Sequence, residues 1–259
     1  MELLDLSVWK KMKPITLDEM STIKLMNRID TKFLIPESML LELLEMVKDD
    51  YRVQVVADKP VSKYQTLYYD TADLSMYTVH HNGRLRRQKI RSRTYLDSDL
   101  SFLEIKKKDN KGRTKKTRIK IPLAVFDRVK SSEEAAKFIH ELLPEFHVDQ
   151  LYPQVYNRFD RITLVNNGMT ERLTIDGNLY FKNFQTGIEL PVPGFMIVEL
   201  KQDGHCPSLF KDILQERKVL AKGFSKYCLG TILTNPDAKK NRFKEKLRRI
   251  EKITLNKES

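Results

Sequence analysis

The sequence predicts an α+β protein with about eight antiparallel strands. Four stretches alternate charged and apolar residues with a period of two, the pattern of strands that send successive side chains to opposite faces. Two of them, Phe102–Lys106 and Ile197–Lys201, share a Glu-x-Lys signature in an apolar frame. Apolar residues at helical spacing occur before, between and after the strands, which indicates helices dispersed along the chain.

The first elements follow from apolar spacing and from turn residues. Alternation in the first strand stops at Pro36, and the apolar positions after it recur three and four residues apart, as in a helix. Asp70 and Asp73 are typical helix-opening residues. The predicted order is helix Leu17–Met26, strand Arg28–Ile35, helix Glu37–Lys48, strand Val61–Tyr69 and a short helix that ends at His80.

A meander and a second set of strands and helices follow the turn at Asn82 and Gly83. The meander strands are Arg84–Tyr95, Leu100–Lys108 and Arg113–Ile121, with a hairpin turn at Asp109–Gly112. Pro122–Leu143 is predicted to be mostly helical. The later strands are Gln154–Val165, Glu171–Phe181 and Phe195–Lys201, and the later helices are Ser208–Leu220 and Ser225–Leu233. Residues 1–235 are expected to form a single domain, and residues 236–259 a basic C-terminal helix or tail. That tail either docks on the domain, a membrane or a partner, or is solvated.

The charge of the chain favours an anionic partner. Its 259 residues carry a net charge of +12, with a pI of about 9.5. Nucleic acid, an acidic membrane surface and a phosphate-rich substrate all fit such an excess. The two cysteines form no zinc-type spacing, so a reducing, cytoplasmic location is expected. No stretch approaches the roughly 20 apolar residues of a membrane span, so attachment to a membrane would need a partner protein.

Basic residues recur on one face of several predicted strands. Lys89, Arg91 and Arg93 share a face, as do Lys116 and Arg118. For a single strand, the commoner explanation is the wet face of a sheet. Recurrence on at least five strands favours faces that converge inside a barrel, where only a polyanion would neutralise them. Carboxylates in such a wall, Glu104 and Glu199, either bind Mg²⁺ or Mn²⁺ or pair with neighbouring arginines.

These residues resemble the polyphosphate polymerase domain of the vacuolar transporter chaperone (VTC) family, a branch of the triphosphate tunnel metalloenzymes. The likeness runs from about Arg28 to Gly230. It is carried, in the family's order, by Arg28–Phe33, Leu67–Thr71, Lys89–Tyr95, Leu103–Lys106, Tyr156–Arg158, Arg172–Asp176, Ile197–Lys201 and Phe224–Tyr227. The resemblance implies an eight-stranded antiparallel tunnel with basic walls and surrounding helices.

The resemblance also implies roles for individual residues. Those that would grip the triphosphate or polyphosphate chain are Lys32, Arg91, Arg93, Lys106, Arg158 and Lys226. Further wall cations would be Lys116 or Arg118, Arg172 and Lys201, while Tyr156 and Ser225 would hydrogen-bond phosphate oxygens. Glu199 matches the metal-binding glutamate, with Mn²⁺ or Mg²⁺ as the implied cofactor.

Two departures from the family patterns bear on the activity. The lysine that the polymerases tend to place two residues before the serine of Phe-Ser-Lys is replaced by Gly223, with Lys222 beside it. The Glu-x-Glu-x-Lys that opens the hydrolase and cyclase branch is also missing, since Arg28, Asp30 and Lys32 occupy that stretch. The second departure favours the polymerase branch.

The predicted function is therefore transfer of the γ-phosphoryl group of ATP to a growing polyphosphate chain, with release of ADP. A tripolyphosphatase on the same fold and a non-catalytic polyphosphate-binding protein remain alternatives. The expected partners are ATP, inorganic polyphosphate and a membrane protein that receives the polymer. Nucleic acid is not expected, because the chain lacks an RNP motif, a helix-turn-helix and a zinc finger.

Overall fold

The computed structural model describes residues 3–21, 23 and 28–255. In this part of the chain eleven strands form one sheet. The strands are β1 Pro14–Ile15, β2 Arg28–Pro36, β3 Tyr51–Gln54, β4 Val61–Asp70, β5 Arg87–Tyr95, β6 Leu100–Lys108, β7 Thr114–Lys120, β8 Tyr152–Asn166, β9 Glu171–Asn183, β10 Glu189–Val192 and β11 Phe195–Asp203. The α-helices are α1 Leu17–Ser21, α2 Leu40–Val47, α3 Ser75–His81, α4 Glu133–Leu142, α5 Leu209–Glu216, α6 Lys226–Thr234 and α7 Lys244–Leu255.

Eight of these strands form a continuous antiparallel path. Their order is β2-β11-β9-β8-β4-β5-β6-β7, with β2 and β7 at its two ends. The short strands β1, β3 and β10 attach beside this path. The path curls as a half-barrel, so the predicted eight-stranded antiparallel tunnel fold with surrounding helices is confirmed.

Apolar side chains on one face of each strand determine which way the sheet curls. Helices α2 and α5 cover these side chains on β2, β8, β9 and β11. Helix α4 covers those on β4, β5 and β6. Burying the apolar face under helices leaves the opposite face, which carries most of the strand cations, to line the concave side. We call this concave side the inner face.

One end of the inner face is apolar and is filled by helices. Tyr227, Cys228 and Ile232 of α6 pack against Leu34, Val155 and Phe181 of the strands. Helix α7 adds Ile250 to this cluster, with Leu247 and Ile253 packed at its margin. Helix α7, the described helical part of the basic tail, is therefore docked on the sheet in this structure. The cations occupy the rest of the inner face.

Several element boundaries differ from the sequence prediction. Strands β1, β3 and β10 were not predicted, since each has only two to four residues and too few alternations to detect. Between 122 and 143, only Glu133–Leu142 is α-helical, after two short 3₁₀ turns. The first predicted helix is described only as Leu17–Ser21, and its end at Met26 lies outside the described residues. Among the described residues, no helix combines the length and apolar character that crossing a bilayer requires.

Candidate functional site

Cations from strands far apart in the sheet converge on the inner face. Lys106 of β6 is close enough to Glu199 of β11 to interact with its charge, although four strands separate β6 from β11 in the sheet order. Arg161 of β8 likewise interacts with Glu199. The inner-face cations are Lys32, Lys89, Arg91, Arg93, Lys106, Lys116, Arg118, Arg161, Arg172, Lys201 and, from α6, Lys226. The curl of the sheet therefore produces a basic concave surface.

Three carboxylates are embedded in this surface, and each is held by two cations. The fully buried Glu104 accepts hydrogen bonds from Arg91, at 2.7 Å from Nε, and from Lys116, at 3.2 Å. Burial alone would raise the pKa of Glu104, but attraction to Arg91, Arg93 and Lys116 lowers it. The carboxylate therefore stays ionised and orients the Arg91 guanidinium.

Glu199 and Asp176 have the same arrangement. Glu199 accepts from Lys32 and, at 3.0 Å, from Lys201. Asp176 accepts a two-pronged bond from Arg161, at 2.6 and 2.8 Å, and a further bond from Lys226. Burial would raise the pKa of each acid, but the paired cations lower it. These pairs fix the side chains of six inner-face cations.

Other inner-face cations form no ion pair with the described residues, although Glu104 and Glu199 lie close enough to attract some of them. Arg93 is buried and donates from Nε to the Thr66 hydroxyl at 3.0 Å, and no ion pair is formed by it within the described ranges. The same ranges offer no ion-pair partner to Lys106 or Arg172. Lys89 donates to the hydroxyl of Ser225 at 2.9 Å. Buried positive charge that is not matched by a paired carboxylate is costly, so an anion bound beside these side chains would stabilise their charged forms.

The crowding of positive charge perturbs two lysines. Repulsion from Arg91, burial and repulsion from Arg93 lower the pKa of Lys106 to about 6. Burial, only partly offset by attraction to Glu199, lowers the pKa of Lys201 to about 8. A phosphate placed beside these ammonium groups would favour their charged form and raise both pKa values.

The structure places Tyr156 and Arg158 away from the other predicted site residues. Arg158 is exposed on the outer face, with its guanidinium 4.6 Å from the centre of the Tyr180 ring. Tyr156 donates to Gln65 at 3.3 Å and packs beside the cluster under α4. The prediction that Tyr156 and Arg158 line the wall of the tunnel is therefore wrong, because the even-numbered residues of β8 face outward.

Arg161 occupies the inner-face position on β8 that the sequence-based prediction gave to Arg158. The signal was present in the alternation of the strand. Arg158 is in phase with the buried residues Ile162 and Leu164, whereas Arg161 is out of phase with them. Asp176, the partner of Arg161, belongs to the Arg172–Asp176 motif, but the sequence alone predicted no role for it in the site.

The remaining predicted residues border the same surface. Arg118 lies over the Phe102 ring at 4.3 Å, on the strand next to Glu104. Lys226 lies 4.3 Å from the centre of the Phe159 ring. Ser225 caps α6 by accepting from the backbone of Cys228, and its own hydroxyl proton remains able to donate. Lys222, the lysine beside Gly223, pairs with Glu245 of α7.

The acidic residues fit a metal that arrives with phosphate, and they do not form a metal cage by themselves. The described part of the chain contains no cluster of three or more potential metal ligands among His, Cys, Asp and Glu. Lys32 and Lys201 engage the two oxygens of Glu199. The neighbouring Thr174 hydroxyl is buried and has no hydrogen-bond partner in the described part of the chain, so it is a candidate contact for water or a phosphate oxygen. Mg²⁺ commonly binds through one or two carboxylates together with substrate phosphates, and Glu199 offers one.

The fold and the basic inner face define a protein of the triphosphate-tunnel class. A candidate adenylate cyclase from Bacillus halodurans is similar in fold, with a TM-score of 0.50 and 14% identity over 78% of this chain and 96% of that one. A candidate adenylyl cyclase from Hippeastrum, described as revealing a dominant triphosphatase activity, gives a TM-score of 0.47 and 13% identity over 80% and 96% of the two chains.

The VTC domain matches residues 27–235, so the chain belongs to the VTC domain family. Comparison with curated proteins finds no match. The family assignment made from the sequence motifs is thereby confirmed.

Proposed function

We propose that this chain is an ATP-dependent polyphosphate polymerase, which transfers the γ-phosphoryl group of ATP to a growing polyphosphate chain. The observation that carries the proposal is the group of inner-face cations that form no ion pair with the described residues, above all Arg93 and Lys106. A row of phosphates supplies anions at short intervals and would neutralise several of these cations together. Strand β2 lacks the two glutamates that open the hydrolase and cyclase branch, which supports transfer over hydrolysis. The one acidic residue on β2, Asp30, is paired with Arg28 at 2.6 Å.

The proposed reaction is an in-line displacement at phosphorus. The bond between the γ-phosphorus and the β–γ bridging oxygen breaks, and a terminal oxygen of the acceptor chain bonds to that phosphorus. ADP leaves with the bridging oxygen. A terminal phosphate is already ionised at neutral pH, so the acceptor needs no strong general base.

Individual residues would contribute mainly positioning and charge. Arg93 and Lys106 would offset the negative charge of the transferred group, and Arg91, held by Glu104, would keep a fixed guanidinium beside it. A divalent ion that enters with ATP would neutralise phosphate charge, and Glu199 is the residue that would hold it.

The reaction is tested by incubating the purified chain with ATP and Mn²⁺, followed by phosphorus NMR and a gel stained for polyphosphate. Polymer that accumulates together with ADP is the expected result. Free phosphate without polymer would replace the proposal with a triphosphate hydrolase. Tight tripolyphosphate binding without turnover would replace it with a polyanion receptor.

A pair of arginine variants tests the site. Arg93→Ala removes an inner-face cation, whereas Arg158→Ala removes an arginine from the outer face. We expect Arg93→Ala to lower kcat by about 100-fold to 1,000-fold, as when one preorganised donor is lost, and Arg158→Ala to retain wild-type turnover. Circular dichroism checks that both variants fold. Equal losses in the two variants would contradict the placement of the site on the inner face.

A further inference from the structure

A second cationic surface lies on the hairpin of β6 and β7, beyond the inner-face residues that hold Glu104. Between positions 106 and 120 nine residues are Lys or Arg and one, Asp109, is acidic. The hairpin surface, as we define it, consists of Lys107, Lys108, Lys111, Arg113 and Lys115. Strand β7 is an end of the sheet path, so this hairpin borders solvent.

Like charges face each other across the hairpin on both of its faces. Lys106 is opposite Lys116 on the inner face, and Lys107 is opposite Lys115 on the outer face. Directly opposed like charges destabilise an antiparallel pair. Lys107 donates to the carbonyl of Leu142 at 2.8 Å. The described ranges provide no ion-pair partner for the hairpin surface, so an anion from outside the fold would relieve this repulsion.

The hairpin surface continues the inner face. Lys108 lies on the same strand face as Glu104 and Lys106 and is opposite Arg87 of β5. Burial lowers the pKa of His80, and repulsion from Lys89, Arg87, Lys246 and Lys108 lowers it further, which places these four cations around one end of the inner face. An unbroken series of cations thus runs from Arg91 and Lys106 to the hairpin.

We propose that the hairpin surface is a second binding segment for an inorganic polyphosphate chain that extends out of the inner face. The inference rests on the proposed function, because it takes the same polyanion to be bound beside Arg93 and Lys106. At about 3.3 Å per strand residue, Lys108 lies roughly 13 Å along β6 from Glu104. A triphosphate bound beside Arg93 therefore cannot also reach the hairpin turn, whereas a longer chain can.

The chemistry of the hairpin favours a linear polyanion over an acidic membrane. Residues 106–116 include no apolar side chain that could enter a bilayer. The opposed lysine pairs also project from both faces of the hairpin, and a flat surface could contact only one of those faces.

The experiment compares the binding of tripolyphosphate and long-chain polyphosphate by two charge-matched variants of the full chain. In the hairpin variant Lys108, Lys111, Arg113 and Lys115 are replaced by Gln. The control replaces Lys10, Lys13, Lys59 and Lys218, which are exposed outside β6 and β7, by Gln. We expect the hairpin variant to bind tripolyphosphate like the wild type but to bind the long chain at least about tenfold more weakly, with a shallower salt dependence. The control should bind both like the wild type.

Each of the other possible results of this experiment contradicts one specific claim. Long-chain binding by the hairpin variant equal to that of the control would overturn the second segment, even if the wild type makes polymer. If the wild type made no polymer, but the hairpin substitutions still weakened binding of the long chain and not of tripolyphosphate, only the proposed function would be overturned. If the hairpin variant lost binding to phosphatidylserine vesicles and kept polyphosphate binding, the surface would belong to a membrane and the inference would fail. Thermal unfolding checks that all variants fold.

Discussion

At the residue scale, the paired carboxylates give the inner face its defined geometry. Glu104, Asp176 and Glu199 each bond two cations that would otherwise repel one another. Buried ion pairs often contribute little net stability, because the cost of desolvation offsets the attraction. Removing one partner is different, because it leaves the other charge buried and unpaired.

Glu104→Gln is expected to destabilise the protein. Arg91 would lose its only carboxylate partner within the described residues, and the unfolding free energy should fall by about 3–5 kcal/mol. Urea unfolding measures the loss. The control Glu141→Gln removes one half of an exposed pair with Lys137 and should change stability by less than about 1 kcal/mol.

Stabilisation by added tripolyphosphate is a second measurement on the Glu104→Gln variant. A ligand that binds only the folded state at 100 times its Kd stabilises it by about 2.7 kcal/mol. We expect the stabilisation of Glu104→Gln to be at least as large as that of the wild type, since the ligand can pair with Arg91. A Glu104→Gln protein as stable as the wild type without ligand would contradict the role of this carboxylate.

Lys106 is expected to take up a proton when a polyanion binds. Its pKa of about 6 leaves it mostly neutral above pH 7 in the free protein, and bound phosphate would raise that pKa. Affinity for tripolyphosphate should therefore fall as the pH rises above 6. Isothermal titration calorimetry at pH 7.5, in buffers of different ionisation enthalpy, measures the uptake.

Lys106→Arg is the matched variant for this measurement, because arginine stays charged throughout this pH range. It should remove the uptake that belongs to Lys106 and leave that of Lys201 and of the ligand itself. Identical proton uptake by the wild type and Lys106→Arg would show that Lys106 is already charged in the free protein.

At the scale of elements, α6 fills one end of the inner face and so bounds the cationic surface. The helix packs closely on β8 and β9, and at its start Ser225 accepts a hydrogen bond from Lys89 and Lys226 donates one to Asp176. Gly230 permits this approach. A Cβ at that position would lie 2.5 Å from Val155 and 2.6 Å from Phe181, which is too close for normal packing.

Gly230→Ala should therefore displace α6 and destabilise the protein by about 1–3 kcal/mol, the usual cost of overpacking a core. Gly223→Ala is the control, because a Cβ there meets no atom within 4 Å. Thermal unfolding of the two variants provides the comparison. Equal melting temperatures would show that the contact between α6 and the sheet is looser than the structure indicates.

At the scale of the whole molecule, charge is distributed unevenly. Eleven cations and three carboxylates lie on the inner face, and five further cations form the hairpin surface, while apolar packing under α2, α4 and α5 covers much of the outer face of the strands. Such a field attracts polyanions and raises their rate of association, and salt weakens this effect.

The same distribution predicts how stability depends on pH. The pKa values of Glu104, Asp176 and Glu199 are lowered in the fold, so their contribution is complete above the unfolded-state pKa of about 4 and is lost as pH falls below it. Asp70 and Glu171 act in the opposite direction, since burial raises their pKa values.

We therefore expect the unfolding free energy to fall between pH 7 and 5, because the lowered pKa values of Lys106 and His80 leave these groups less protonated in the fold than in the unfolded chain, and to decline further below pH 5 as the carboxylates titrate. Urea unfolding followed by far-UV circular dichroism measures this. Glu104→Gln should show a shallower decline, because one of the three titrating groups is gone. Constant stability from pH 5 to 3 would contradict the inner-face pairing.

The sequence by itself determined the eight long strands of the sheet path, the buried face of most of them and the family. Alternation with period two is a local property, so Leu103 and Ile105 identify the buried face and Glu104 and Lys106 the opposite one. The same local reasoning would have placed Arg161 on the inner face and Arg158 outside.

Only the tertiary structure decided which charges meet. Glu199 pairs with Lys32 across 167 positions of sequence, and Lys106 reaches the field of Glu199 because the sheet curls. In the curled sheet some cations pair with carboxylates, whereas others, such as Arg93, form no ion pair with the described residues. Coulomb interaction and desolvation depend on distance and burial in the folded chain, and neither quantity is encoded in a periodic pattern along one strand.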